Sequence, residues 1–164
     1  WYARLLAQRL AAATLRCIPI LVVASFLPKP LQLPPPASLL AAAGFAASLV
    51  AALLIVVGMS MLIQVFTFWT LSPAGTTLLF AMFSEFLSGG VLAIPLMPEG
   101  LQKVLYFLPF AYTADVPFRI YSGHTLAGDI PGLVLRQLAW ALALILFGAL
   151  FMRRAMRRVV VQGG

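Results

Sequence analysis

The sequence predicts an all-α fold, an integral membrane helical bundle with four transmembrane helices and a broken re-entrant helical hairpin before the last one. The first observation is composition, since 63% of the residues are hydrophobic, 9% are charged and the mean hydropathy is +1.04. The second is that the apolar residues come in long blocks, which soluble globular domains lack. The third is a cluster of four arginines directly after the last block, which is typical of a cytoplasmic span end.

The first two predicted spans cover residues 8–27 and 38–64. Between them, residues 28–36 (PKPLQLPPP) hold too many prolines for a helix or a sheet interior and are predicted to form a short extended linker at the membrane surface. The second span carries no charge, and Ser38 is placed to cap its start. Its small residues recur every three or four positions, which predicts close packing against another helix. This helix-packing stripe consists of Ala41, Gly44, Ser48 and Ala51.

The third predicted span, residues 73–94, contains Glu85 on the same helix face as Ser88 and Gly89. A carboxyl group inside a membrane span is a functional candidate. Two interpretations remain open from the sequence. In the first, Glu85 acts directly in transport. In the second, it makes a structural polar contact, and it is protonated, paired with Arg136 or, if the helix ends early at Gly89, close to the membrane interface.

The predicted re-entrant hairpin covers residues 95–122. Its apolar sequence is interrupted too often to cross a bilayer, which needs about 20 apolar residues. Broken backbone at membrane depth is tolerated only where it is buried in protein or lines a cavity, so this region and the turn before it are the predicted working part. The candidates for the transport pathway or gate are Glu85, Ser88, Gly89, Gly90, Pro95, Pro98, Pro109 and Phe110.

The polar residues at 113–129 do not predict a metal site, because His124, Asp115 and Asp129 lack the spacing of metal ligands. The sequence contains no nucleophile elbow, HExxH, phosphate-binding GxxxxGK[ST] or GxGxxG motif. We therefore predict no catalytic residue, no metal and no cofactor in this chain. Nucleic acid is not a predicted partner either, because seven of the eleven basic residues lie near the two ends rather than in a patch interleaved with aromatics.

The last predicted span, residues 130–152, is followed by the strongest topological signal in the chain. Basic residues next to a span indicate the cytoplasmic side. With four spans, the arginines near the start of the chain lie on that side too, so both ends are predicted to be cytoplasmic. The cytoplasmic anchor consists of Arg153, Arg154, Arg157 and Arg158.

Five short motifs follow one another over residues 66–164: FWT, SGGVLAIPLMP, LPFAY, IYSG and a terminal VQGG. This order resembles the C-terminal part of ABC-2 type permeases, the membrane subunits of bacterial ABC exporters. Residues 1–64 resemble that family only in hydropathy. Because family members typically have six spans, the resemblance implies that residues 1–164 are a C-terminal, four-span fragment forming a single transmembrane domain. The residues that it implies for the extracellular re-entrant hairpin are Gly89, Gly90, Pro95, Pro98, Pro109 and Phe110.

The resemblance implies a permease subunit of an exporter in the bacterial inner membrane, surrounded by membrane lipids. A separate ABC ATPase subunit would bind and hydrolyse ATP, and a second permease subunit, identical or different, would complete the substrate pathway. The residues alone leave two other functions open. One is a self-contained four-helix transporter driven by proton exchange through Glu85. The other is a non-transporting membrane interaction or assembly protein.

Overall fold

The computed structural model describes residues 2–26, 28, 35–36, 38–67, 70 and 72–156. The predicted all-α class is confirmed for these residues, whose regular structure is helical throughout. Much of the predicted linker, residues 29–34, lies outside the described residues, as do Arg157 and Arg158. The α-helices are α1 (Tyr2–Phe26), α2 (Leu39–Phe66), α3 (Pro73–Leu87), α4 (Glu99–Phe107), α5 (Asp115–Tyr121) and α6 (Ile130–Met156), and short 3₁₀ turns occupy Ile94–Leu96, Ala111–Thr113 and Ala127–Asp129.

Two stretches of the described residues are long and apolar enough to cross a membrane, Leu39–Phe66 and Ala127–Ala155. They correspond to the second and fourth predicted spans. Helix α3 has 15 residues. At 1.5 Å per residue it is about 22 Å long, which is shorter than a bilayer core of about 30 Å. It ends at Leu87, well before residue 94, where the sequence placed the end of the third span.

A left-handed glycine ends α3. Gly89 has a φ of +86°, and its N–H donates to the Phe86 carbonyl at 3.3 Å. The Gly90 N–H donates to the Glu85 carbonyl at 3.0 Å. These two bonds form a Schellman motif, which stops a helix and favours glycine because a side chain is strained at positive φ. Hydropathy continues past this point, so it is backbone geometry that turns the chain here.

Helices α2 and α6 form the centre of the bundle and run parallel. Gly44 of α2 faces Ile130 of α6, and further along, Gly58 faces Leu144. A Cβ atom on Gly44 would lie 2.6 Å from Ile130 Cγ2, and one on Gly58 would lie 2.8 Å from Leu144 Cβ. The glycines therefore allow a helix approach that a larger residue would prevent. All four residues of the helix-packing stripe are buried: Ala41, Gly44, Ser48 and Ala51.

The start of α1 and the end of α6 lie at the same end of the bundle. Leu6 of α1 packs against a cluster that contains Val65 of α2 and Ala155 of α6. Nearby, Arg9 Nη2 donates to Ser60 Oγ at 3.0 Å. At the opposite end, α5 packs against the start of α2. The helices between α3 and α6 thus cover one end of the bundle, and the start of α1 and the end of α6 lie at the other.

Candidate functional site

The segment 88–129 forms an ordered cap over one end of the bundle, which we call the hairpin cap. It has a small core of its own, and the Gln102 side chain holds the turn before α4. Gln102 Nε2 donates to the carbonyls of Pro95 at 3.2 Å and Met97 at 2.7 Å. The cap therefore has a defined shape although its longest helix has only nine residues. The buried core residues are Ile94, Met97, Leu105 and Ala111.

The predicted gate residues are spread over α3 and the hairpin cap. Ser88 is buried, and its hydroxyl donates to the Glu85 carbonyl at 3.0 Å. Pro109 is also buried, and the ring of Phe110 lies 6.1 Å from the ring of Phe80 on α3. These contacts join α3 to the cap. The remaining two prolines are exposed around the turn before α4: Pro95 and Pro98.

Glu85 is exposed on α3, one turn before the helix ends. A Cβ atom on Gly90 would lie 2.8 Å from Glu85 Oε1, so the absence of a side chain at position 90 leaves room for this carboxylate. Among the described residues, the ion pair joins Arg119 to Asp115, and no cation pairs with Glu85. The contact with Arg136 that the sequence left open is therefore not made within this part of the chain.

A polar network that the sequence did not predict joins α4 to α5. Tyr106 Oη donates to Asp115 Oδ2 at 3.0 Å, and Arg119 Nη1 donates to Tyr106 Oη at 2.6 Å. The Arg119 guanidinium also lies 5.5 Å from the centre of the Tyr106 ring and 3.9 Å from the Asp115 carboxylate. Charge-assisted hydrogen bonds and a cation–π contact thus fix the angle between the two helices of the cap.

Burial changes the protonation behaviour of this network. It raises the pKa of the Asp115 carboxyl, while the hydrogen bond from Tyr106 and the charge of Arg119 act in the opposite direction. Burial also raises the pKa of the Tyr106 phenol, and the negative charge of Asp115 adds to that effect. The phenol therefore stays protonated near neutral pH and remains a donor to the carboxylate.

Beside this network, a cleft of about 540 Å³ opens between α5, the turn that follows it and the start of α6. Gly123, with a φ of +75°, ends α5 in the same way that Gly89 ends α3, and so directs the next residues to the edge of the cleft. The residues that line the cleft include both basic and acidic side chains. Within the described part of the chain, no group of three or more His, Cys, Asp or Glu side chains could hold a metal ion. The ionisable and hydrogen-bonding residues in the lining include Tyr106, Tyr112, Arg119, His124, Asp129 and Arg136.

Gln137 connects the hairpin cap to the bundle. Its side chain is fully buried on α6, and its Nε2 donates to the carbonyls of Tyr112 at 2.9 Å and Ser48 at 3.3 Å. One amide group thereby joins α2, α6 and the turn between α4 and α5. Gln137 is not among the site residues predicted from the sequence. The available signal was a polar residue within an apolar span, which is uncommon without a packing or functional reason.

A family model described as "ABC-2 family transporter protein" matches residues 2–163. The match includes residues 2–64, which carry none of the short motifs and whose predicted likeness to the family rests on hydropathy alone. No curated protein and no solved structure matches the chain.

Proposed function

The chain belongs to the ABC-2 family of transporter proteins, and from that premise we propose that it is a permease subunit of an ATP-driven exporter. Membership of this family indicates a membrane transport component rather than an enzyme. In the proposal, a separate ABC ATPase subunit hydrolyses ATP. A second permease subunit, identical or different, faces this one across the substrate pathway.

The observation that carries the proposal is the family match over residues 2–163. Two structural features support it. The candidate spans α2 and α6 pack closely in parallel, which gives a rigid frame. The hairpin cap is ordered and lies at one end of that frame, where a gate for a pathway would be placed.

We assign the hairpin cap to the extracellular side, where it would act as the outer gate. Arg153 and Arg154 follow the last apolar turns of α6 at the opposite end of the bundle, and basic residues at a span end favour the cytoplasm. The start of α1 lies at that same end. This placement supports cytoplasmic positions for both ends of the chain in a bacterial inner membrane.

Helix α3 is the proposed contact with the second permease subunit. Its apolar side chains are largely exposed, including Leu78 at 62%, Met82 at 64% and Phe83 at 64%. Glu85 shares this helix and is also exposed. An apolar face that carries one acid suits a protein contact that can supply a polar partner better than it suits lipid alone.

The test is a pull-down of the tagged full-length gene product from its native membrane in mild detergent, followed by mass spectrometry. We expect an ATPase with a P-loop to co-purify, and a tagged multi-pass protein of another family is the control. Reproducible absence of an ATPase, with the chain intact, would contradict the proposal. pH-dependent transport by the purified chain alone would favour proton coupling through Glu85, and absence of both would favour an assembly role.

A further inference from the structure

Two grooves meet at Arg136. The first is the polar cleft beside α5, and the second is an apolar groove of about 490 Å³ that continues along α6. Both are lined by Tyr106, Tyr112 and Arg136. Arg136 is the one charged residue among the described residues that line the apolar groove. The combined surface therefore has a cationic end and an apolar end.

Arg136 lies on a candidate membrane span, is exposed, and has no hydrogen bond or ion pair to the described residues. It follows Ile130 by six residues, which places it about 9 Å along the helix axis from the start of α6. An arginine at this depth reaches the membrane interface by extending its side chain. A guanidinium without a protein partner at the level of the lipid headgroups would attract an anionic group there.

The apolar groove faces away from the protein core. Phe107, 74% exposed, places its ring 6.3 Å from the Trp140 ring in an edge-to-face arrangement. Between Arg136 and the deeper part of α6, small residues at Ala139 and Ala143 keep the groove open. Trp140 lies about one turn deeper along α6 than Arg136, so this part of the groove lies at the level of the acyl chains. The groove is thus continuous with the lipid-facing surface of α6.

We propose that this surface binds one anionic phospholipid from the outer leaflet. Its phosphate lies at the Arg136 guanidinium, with Arg119 nearby in the cleft, and one acyl chain lies along Phe107 and Trp140. Guanidinium groups bind phosphate through paired hydrogen bonds. Of the charged residues that line the cleft, Arg119 is paired with Asp115 and Asp129 is an acid, so Arg136 is the cation without a partner among the described residues and is the group that would hold the phosphate. Lipid binding at this surface does not depend on ATP-driven export, but the choice of the outer leaflet rests on the extracellular side proposed above for the hairpin cap.

Trp140 provides the measurement. The full-length chain, with its other tryptophans replaced by phenylalanine, is reconstituted into vesicles of phosphatidylcholine and phosphatidylglycerol in which one lipid or the other carries brominated chains. Bromine quenches tryptophan fluorescence on contact, so the two series give the relative affinity of the groove for each lipid. We expect about a fivefold preference for phosphatidylglycerol, the factor that corresponds to one cation near an anionic lipid.

Arg136→Gln should bring the preference to about one, Arg136→Lys should retain part of it, and Arg153→Gln, at the other end of α6, should leave it unchanged. The emission maximum of Trp140 in phosphatidylcholine reports whether each variant keeps the native groove, and Arg136→Lys decides the test if Arg136→Gln does not. No preference in the parent protein, or the same preference in an intact Arg136→Gln variant, would overturn the proposal. Loss of the preference on adding inorganic phosphate at constant ionic strength would also overturn it, since the site would then bind a soluble anion.

Discussion

Replacing Gly89 by alanine should weaken the hairpin cap more than the same change at two other glycines nearby. At a φ of +86°, an L-residue costs about 1–2 kcal/mol relative to glycine. The new Cβ would also lie 3.1 Å from Ile94 Cγ1, and Ile94 is fully buried, so relaxation is restricted. We therefore expect Gly89→Ala to destabilise the turn by about 2 kcal/mol.

The matched controls are Gly90→Ala and Gly100→Ala. A Cβ at position 90 would lie 2.8 Å from Glu85 Oε1, the end of an exposed flexible side chain that can move away, and 3.2 Å from the Glu85 carbonyl oxygen, which needs a small backbone adjustment. No positive φ adds to this, so the cost should be about 0.5–1 kcal/mol, below that at position 89. Position 100 has open space around it in the first turn of α4, so alanine should stabilise by about 0.5–1 kcal/mol. Gly89→Asn should recover much of the loss, because asparagine tolerates the left-handed region.

Hydrogen exchange of the peptide covering residues 85–97 is the assay, with thermal unfolding in detergent as the global measurement. The amides of Gly89 and Gly90 donate the two bonds that close α3, so loss of the turn should speed their exchange. The reasoning is refuted if Gly89→Ala exchanges at the parent rate. It is refuted equally if Gly100→Ala loosens the peptide as much as Gly89→Ala does.

Three further predictions concern the bundle and the cap. Gly44→Ala should destabilise the α2–α6 contact by about 1–3 kcal/mol, and adding Ile130→Ala should restore part of that, as measured by thermal unfolding in detergent. Gln137→Leu should lower stability by about 1 kcal/mol and speed amide exchange in the cap, because the Tyr112 carbonyl loses its donor. Burial raises the pKa of Asp115 in the folded protein above its ordinary 3.8, so ionisation of this carboxyl opposes folding. The contribution of the protonated Asp115 to the free energy of unfolding is therefore present at low pH and is lost as pH rises through the folded pKa. Relative to Asp115→Asn, the parent should therefore lose stability over that window and no further above it, in melts recorded across pH.

The helix cap, the fold class and the family could be predicted from the sequence. Ser38 was predicted to cap α2, and its hydroxyl oxygen accepts a hydrogen bond from the Ala41 N–H at 3.0 Å. The all-α class followed from long apolar blocks, and the order of short motifs led to the ABC-2 family, which the family match confirms. The information for the helix cap lies within a few residues, that for the fold class lies in composition, and that for the family lies in the order of short motifs along the chain.

The end of α3 and the polar contacts of the hairpin cap depend on backbone conformation and on contacts between distant residues, which a hydropathy profile does not contain. The third span was predicted to end at about residue 94, with an earlier end at Gly89 left open, and the structure ends helix α3 at Leu87 through the left-handed backbone of Gly89. The network of Tyr106, Asp115 and Arg119 arises because a turn folds α5 back onto α4, and the three residues are separated in sequence by other apolar and polar positions. Gln137 finds its acceptors on two other segments, so its role appears only once the bundle is assembled.

The parallel course of α2 and α6 has an electrostatic consequence. Aligned peptide dipoles place about half a negative charge at each helix C-terminus, so two like poles lie side by side at one end of the bundle. Arg153 and Arg154 stand in the last turn of α6, and Arg9 reaches α2 one to two turns before its end. A cation in the last turn contributes about 0.3–1 kcal/mol, and the effect falls off beyond that turn, so Arg9 lies too far from the end of α2 to contribute. Arg153 and Arg154 therefore offset part of the repulsion between the two parallel dipoles and help to keep the central helix pair together.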